Sequence, residues 1–312
     1  MRTVFMGTPD FAVNVLDAMV QAGHEVGYVI TQPDKARDRG KKVQFTPVKE
    51  KALEYGLTVL QPEKVRGNEE LLAQLKEYNP DIMVVVAYGQ ILPKEVLDLP
   101  RLGCVNVHAS LLPKLRGASP IQNAIVTGEE VTGVTIMQMG EGLDTGDMLE
   151  MAETPIGKEE TAGELMDRLA LMGAELLLST LKKLEEGTAV RRVQDESLAT
   201  YAPMLKKQDG ALDFNRPAKE LDWLIRGVAP WPSAYTYLDG KLFKVHKAIP
   251  LTGMTGEPGT WADGKKLIVY CGEGALELVE IQPEGGKRMR AEDFLRGRRE
   301  GTERKFTSST TL

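Results

Sequence analysis

Residues 82–86, Ile-Met-Val-Val-Val, form an unbroken apolar run. Such a strand has no polar face to offer to water, so it must be covered on both sides. That constraint selects a sheet held between helices, and the flanking sequence supplies them. Short apolar segments at 3–6, 26–30, 57–60 and 105–107 alternate with helical spacing at 47–55, 69–78 and 120–126. The turn Gly7-Thr8-Pro9-Asp10 follows the first segment, and Phe11, Val15, Leu16 and Met19 then recur at helical intervals until Gly23. Alternation of strand and helix predicts an α/β class, a Rossmann-like, mostly parallel sheet with helices on both faces. Two further strands, at 134–139 and 147–151, are joined through a Gly/Asp-rich turn, and a long helix covers 161–184.

The pattern changes after Gly187. Residues 189–207 are polar and aperiodic, which reads as a linker between a domain at 1–188 and another at 208–312. The second domain opens with a helix at 217–226, with Pro217 at its start and Gly227 past its end,. Short alternating segments follow at 234–238, 242–249, 266–270 and 276–281, with hairpin turn signals at Asp239-Gly240 and Asp263-Gly264,. The expectation is a smaller OB-like β-barrel, a type that commonly binds oligonucleotides, with a frayed tail at 307–312.

Charge adds to this reading. The net charge is −6, yet residues 205–312 hold 18 Lys and Arg against 15 Asp and Glu, while residues 1–204 hold 21 against 30. Residues 35–42 carry five cations to one anion, and residues 287–305 carry eight to four. Clusters of this kind mark either a polyanionic partner or a solvated face. No apolar run approaches the roughly 20 residues of a membrane-spanning helix, and the N-terminus reads as strand and turn rather than as an export signal. Cys104 and Cys271 are far apart, and neither lies in a C-x-x-C. A cytoplasmic protein without disulfides is expected. The three histidines, His24, His108 and His246, have no metal-ligand spacing, so no metal is predicted,. P-loop, G-x-G-x-x-G and G-x-S-x-G motifs are all missing,.

The chemistry concentrates in residues 104–120. Asn106 and His108 stand two apart on a strand and so share one face, at the carboxyl end where open α/β sheets bind ligands. An amide donor beside an imidazole that donates, accepts or carries a proton suits a developing oxyanion. It also suits an ordinary strand-end pair. Ser110-Leu111-Leu112-Pro113 leaves the strand on a rigid turn, and Lys114 and Arg116 face either an anion or water. Asp144 stands either to orient His108 and stabilise its cation, as acids do beside catalytic histidines, or, like Asp147, only to make turn hydrogen bonds.

Taken together, Asn106-x-His108, Ser110-Leu-Leu-Pro113-x-x-Arg116-Gly117 and Asp144-Thr-Gly-Asp147 resemble the folate-dependent formyltransferases. Phe5-Met-Gly-Thr-Pro-Asp-Phe-Ala12, Thr31-Gln-Pro-Asp34, Arg39-Gly-Lys-Lys42, Ala87-Tyr-Gly-Gln-Ile-Leu-Pro93 and Pro230-Trp-Pro232 are similar to members of that family acting on an aminoacyl-tRNA. The resemblance spans nearly the whole chain. It implies 10-formyltetrahydrofolate as a cosubstrate, initiator methionyl-tRNA as the acceptor, and formylmethionyl-tRNA for translation initiation as the product. It implies catalysis by Asn106, His108 and Asp144 through a tetrahedral oxyanion, without a metal, in a monomer. Folate contacts are implied at Gln90, Ile91, Leu92, Ser110, Leu111, Leu112 and Pro113. Contacts to tRNA are implied at Arg39, Lys41, Lys42, Lys206, Lys287 and Arg288. The rival readings are a folate enzyme with an amino-sugar nucleotide or purine acceptor, a formate-releasing hydrolase and a tRNA-binding protein without catalysis. A nicotinamide oxidoreductase is disfavoured by the missing glycine fingerprint.

Overall fold

The computed structural model describes residues 1–37, 42–262, 264–297 and 304–308. The chain divides into two compact units. The first comprises Met1–Pro120, Val131–Thr154 and Met166–Ala202, and the second comprises Ile121–Glu130, Pro155–Leu165 and Pro203–Leu312.

The chain begins with β1 (Arg2–Gly7), α1 (Asp10–Gln21) and β2 (Glu25–Ile30), then a short pair β3 (Lys35–Arg37) and β4 (Lys42–Gln44). Next come α2 (Pro47–Glu54), β5 (Val59–Leu60), α3 (Glu69–Tyr78), β6 (Ile82–Val86), α4 (Lys94–Leu97) and β7 (Cys104–His108). After α5 (Pro120–Val126) follow β8 (Val131–Gln138), β9 (Met148–Pro155) and α6 (Ala162–Glu186). The seven-stranded sheet has the order β5-β2-β1-β6-β7-β8-β9. Every pair from β5 to β7 is parallel, and β8 reverses direction against β7. The apolar run at 82–86 is β6, the central strand of the sheet, and is buried at all five positions. Local signals set the helix ends: the Asn68 side chain caps α3 by accepting from the Leu71 N–H, and Asn79 closes it at φ 51°,. Because β1, β2, β6 and β7 run the same way, the segments that follow them emerge at one edge of the sheet.

Within β7, Val107 points to the side opposite Asn106 and His108. It meets α6 at Gly173, where an added Cβ would stand 2.8 Å from the Val107 Cγ1. The glycine lets the helix lie directly under the strand that carries Asn106 and His108.

In the second unit, α7 (Ala218–Gly227) precedes β10 (Ala234–Leu238), β11 (Lys241–Leu251), β12 (Leu267–Tyr270), β13 (Ala275–Pro283), β14 (Met289–Arg290), α8 (Ala291–Arg296) and β15 (Phe306–Thr307). The sheet runs β12-β13-β11-β10-β15 in antiparallel pairs, with β14 on β13. Asp239 and Gly240 turn β10 into β11 with both residues at positive φ, 51° and 70°, as a tight hairpin requires. Residues 259–262 bridge both open edges: Trp261 pairs with Val269 of β12, and Thr260 pairs with Lys305 beside β15. This closes the curled sheet into an OB-like barrel. Phe306 sits at its centre, its ring 5.1 Å from those of Phe243 and Trp261. Thr307, expected to fray, instead pairs with Tyr237, because the neighbouring Phe306 anchors the strand in the core. Asp263 and residues 309–312 lie outside the described residues.

Gly173→Leu is expected to lower stability by about 1–3 kcal/mol, the usual cost of overpacking a filled site. A drop in the denaturant midpoint with an unchanged m-value checks this. No change would show that α6 can retreat from β7 freely.

Candidate active site

The His108 side chain is buried, and both of its polar edges face protein. Nε2 lies 3.0 Å from the Leu115 carbonyl. A carbonyl only accepts, so Nε2 carries a proton. Nδ1 lies 3.7 Å from Asp144 Oδ2, and that same oxygen accepts from the Gly117 N–H at 2.8 Å. Asn106 shares the strand face and is half-buried.

Asp144 reaches this position by an indirect route. Gln138, the last residue of β8, pairs with Val105. The loop after β8 therefore starts three residues, roughly 10 Å, short of the His108 level and folds back along β7. The fold-back has no room for side chains at one point: a Cβ on Gly146 would stand 1.7 Å from the Gln138 carbonyl. Asp144 itself sits at φ 52°, and Ala87 and Leu115 also have positive φ, 46° and 58°. Residues without glycine's freedom hold such angles only where the surroundings fix them, and these three lie on the segments flanking His108.

Arg116, read from sequence as facing an anion or water, is turned away from water and meets an anion of the chain itself, Glu196. It is 0% exposed, the largest fully buried side chain among the described residues. Its guanidinium donates to Gln194 Oε1 at 2.8 and 3.1 Å and to the Glu196 carboxylate at 2.7 and 2.9 Å. Residues 189–207, read as a plain linker, thus supply partners that no sequence periodicity signalled. The Arg116 guanidinium holds the Glu196 carboxyl below its usual range.

The segments implied to hold folate leave neighbouring strands at the same edge. Ile91 is 73% exposed, while Leu92, Ser110 and Leu112 are buried and Leu111 and Pro113 half-buried. The Gln90 side chain is engaged inward, accepting from the Val65 N–H at 2.9 Å and donating to the Glu63 carbonyl at 3.2 Å. Ser110 Oγ donates to the Lys114 carbonyl at 2.7 Å. Of the basic residues, Arg39 and Lys41 lie outside the described residues, and Lys42 begins β4. Lys206 is exposed in the second unit, where its N–H donates to Asp209. Lys287 and Arg288 are exposed on the turn between β13 and β14, with Arg288 paired to Glu280. Among the described residues no three His, Cys, Asp or Glu side chains gather as metal ligands would, and no helix is long and apolar enough to cross a membrane.

The lowered Glu196 carboxyl gives a pH test. A folded value below the unfolded one, about 4.3, makes the stabilisation full above that pH and lost as pH falls through the folded value. The difference in thermal midpoint between the parent and Glu196→Gln should be constant from pH 6 to 8 and shrink below about pH 4. A difference that persists undiminished at pH 3 would contradict the ion pair.

Residues 1–181 match the formyl transferase family profile, and residues 204–299 match the profile of the formyl transferase C-terminal domain. The chain is 52% identical over 300 residues to a methionyl-tRNA formyltransferase of Agathobacter rectalis, covering 95% of this chain and 96% of that one. It is 52% identical over 299 residues to the methionyl-tRNA formyltransferase of Caldanaerobacter subterraneus, with 95% and 97% covered. Its fold resembles that of WlaRD, a sugar 3N-formyl transferase solved in the presence of dTDP and 5-N-formyl-tetrahydrofolate. The TM-score is 0.68 at 18% identity, over 91% of this chain and 97% of that one. A family profile over more than half of the chain and near-complete relatives at half identity place it among the formyl transferases, in the methionyl-tRNA formyltransferase branch.

Proposed function

We infer that the chain transfers the formyl group of 10-formyltetrahydrofolate to the α-amino group of methionine on initiator tRNA, yielding formylmethionyl-tRNA for translation initiation. The observation that carries the chemistry is His108 bonded at Nε2 to the Leu115 carbonyl and facing the Asp144 carboxylate at Nδ1, with Asn106 on the same strand face. Amine attack on a formyl carbon gathers negative charge on the formyl oxygen. Two donors suit that oxygen: the Asn106 amide and the His108 Nε2–H, which the Leu115 carbonyl holds until a more strongly charged acceptor arrives. Asp144 keeps the Nδ1 edge of the ring facing a carboxylate, complementary to any positive charge the ring acquires, and it is the acceptor assigned to the proton the amine sheds. A free α-amino group has a pKa of about 7.7–8.0, so a substantial neutral fraction exists near pH 7 and no stronger base is needed.

The carboxyl edge fits a pterin-bearing cosubstrate. Ile91 offers an exposed apolar side chain there, and the backbone is held in unusual angles at Ala87 after β6 and at Leu115 after β7. In this reading Gln90, Ile91, Leu92, Ser110, Leu111, Leu112 and Pro113 line the folate site. Gln90 shapes it from behind, since its side chain is already bonded to residues 63 and 65. Residues 1–188 perform the chemistry, 189–207 connect, and the barrel of 208–312 holds tRNA. Arg39, Lys41, Lys42, Lys206, Lys287 and Arg288 supply cations to its phosphates, contacts that give affinity with little sequence information. The chain works as a monomer, with one folate and one tRNA per active site, and in the cytoplasm, where its charged tRNA is found.

Formyl transfer to methionyl initiator tRNA should fall by about 10²–10³ in kcat for Asn106→Ala and for His108→Ala, the cost of an oxyanion donor. Undiminished kcat in both would remove them from the catalytic set. Arg39→Ala should raise the KM for tRNA, leave kcat near the parent value and flatten the salt dependence of kcat/KM. A parent that formylates an amino-sugar nucleotide but no methionyl-tRNA would overturn the acceptor assignment.

A further inference from the structure

Residues 192–202 form a strap stitched to both loops that meet His108. Arg192 and Met148 exchange backbone hydrogen bonds at 2.8 and 2.9 Å, beside the end of the loop that carries Asp144. Leu115 N–H donates to Thr200 Oγ1 at 2.9 Å, Arg116 N–H to the Thr200 carbonyl at 2.9 Å, and Ala202 N–H to the Arg116 carbonyl at 2.7 Å. Gln194 lies between these two sets and is 5% exposed. Its Oε1 takes two bonds from the Arg116 guanidinium, and its Nε2 donates to the carbonyls of Asp144 and Gly146, both at 2.8 Å.

The orientation of that amide is fixed by chemistry. A guanidinium only donates and a carbonyl only accepts. An amide is therefore the side chain that can satisfy both neighbours at once, and only with oxygen toward Arg116 and nitrogen toward the loop. A carboxylate in its place would face two carbonyl oxygens with no proton to give.

We propose that Gln194 is a positioning residue for formyl transfer: it fixes the Asp144 backbone in its left-handed conformation, so that the carboxylate faces His108 Nδ1. Gln194 is buried, and its side-chain bonds go to Arg116 and to the Asp144 and Gly146 carbonyls. It acts through Asp144, at φ 52°, while Thr200 sets the other edge of His108 by holding Leu115. The inference rests on the catalytic reading of Asp144.

The test compares the parent, Gln194→Glu, Gln194→Met and Asp144→Asn in steady-state formylation of methionyl initiator tRNA, with thermal midpoints measured alongside. Gln194→Glu keeps the acceptor for Arg116 and loses both donations to the loop, while Gln194→Met keeps the volume and loses every bond. Both Gln194 variants should lower kcat at least ~10-fold. The KM for either substrate should stay within about three-fold of the parent, because neither binding segment is touched. A merely structural role would show instead as a fall in thermal midpoint with kcat of the folded fraction unchanged, and that result would overturn the proposal. Full kcat in both Gln194 variants beside an inactive Asp144→Asn would overturn the positioning role alone. Full activity in Asp144→Asn would overturn the catalytic reading and the inference with it.

Discussion

A guanidinium withdrawn completely from water has to be met by acceptors, because the penalty for burying an ion is several kcal/mol even after relaxation. Arg116 imposes that requirement at the centre of this site. Its backbone follows β7 by eight residues, and its side chain turns inward rather than toward a ligand. Glu196 supplies charge, but its side chain is 70% exposed, so water screens much of that attraction. The buried partner is the neutral oxygen of Gln194. Satisfying one cation thus draws residues 192–202 across the loops flanking His108, and the amide that does so has its nitrogen left for the Asp144 loop.

The sheet determines where this assembly can stand. A parallel strand order from β5 to β7 delivers the segments after β1, β2, β6 and β7 to one edge. The reversal at β8 sends the next loop to the opposite edge, the wrong place for a partner of His108. The glycines of residues 140–146 resolve this conflict, since Gly146 passes where any Cβ would strike the Gln138 carbonyl. On the other side of β7, Gly173 lets α6 back the strand closely. β7 is thereby backed by packing on one face, and on the other its His108 is bonded to the Leu115 carbonyl.

Periodicity made much of this architecture legible. The unbroken run of β6, the spacing of α3 and α5, and the Asp239-Gly240 turn all carry their conformation in local residue types. The i,i+2 rule likewise placed Asn106 and His108 on one face. Segments whose order comes from distant partners were not legible. Residues 192–202 are polar and aperiodic, yet Gln194 and Thr200 are fixed by Arg116, Asp144 and Leu115, up to 85 residues away. The strand at Phe306–Thr307 is too short to announce itself and exists because the barrel core needs the Phe306 ring. The partners of Arg116 were hidden for a related reason: a cation in a loop gives no local sign of which carboxylate and amide wait for it elsewhere.

The chemistry explains why so much structure is devoted to placing so few groups. Moving a formyl group between nitrogens needs no covalent enzyme intermediate, and near neutral pH the amine is already partly deprotonated. What remains is to stabilise charge on one oxygen and to receive one proton, and donors already placed at the site do this with a single exchange of partner, at His108 Nε2,. Such donors are effective only if they hold within about half an ångström of the productive geometry. His108 is bonded to a backbone carbonyl, and Asp144 is held by a backbone N–H and, through its own carbonyl, by Gln194. His108 and Asp144 are thus both tied to main-chain groups. In the proposed mechanism, the precision that the reaction needs comes from the buried cation and the strap, through bonds to the loops that flank His108.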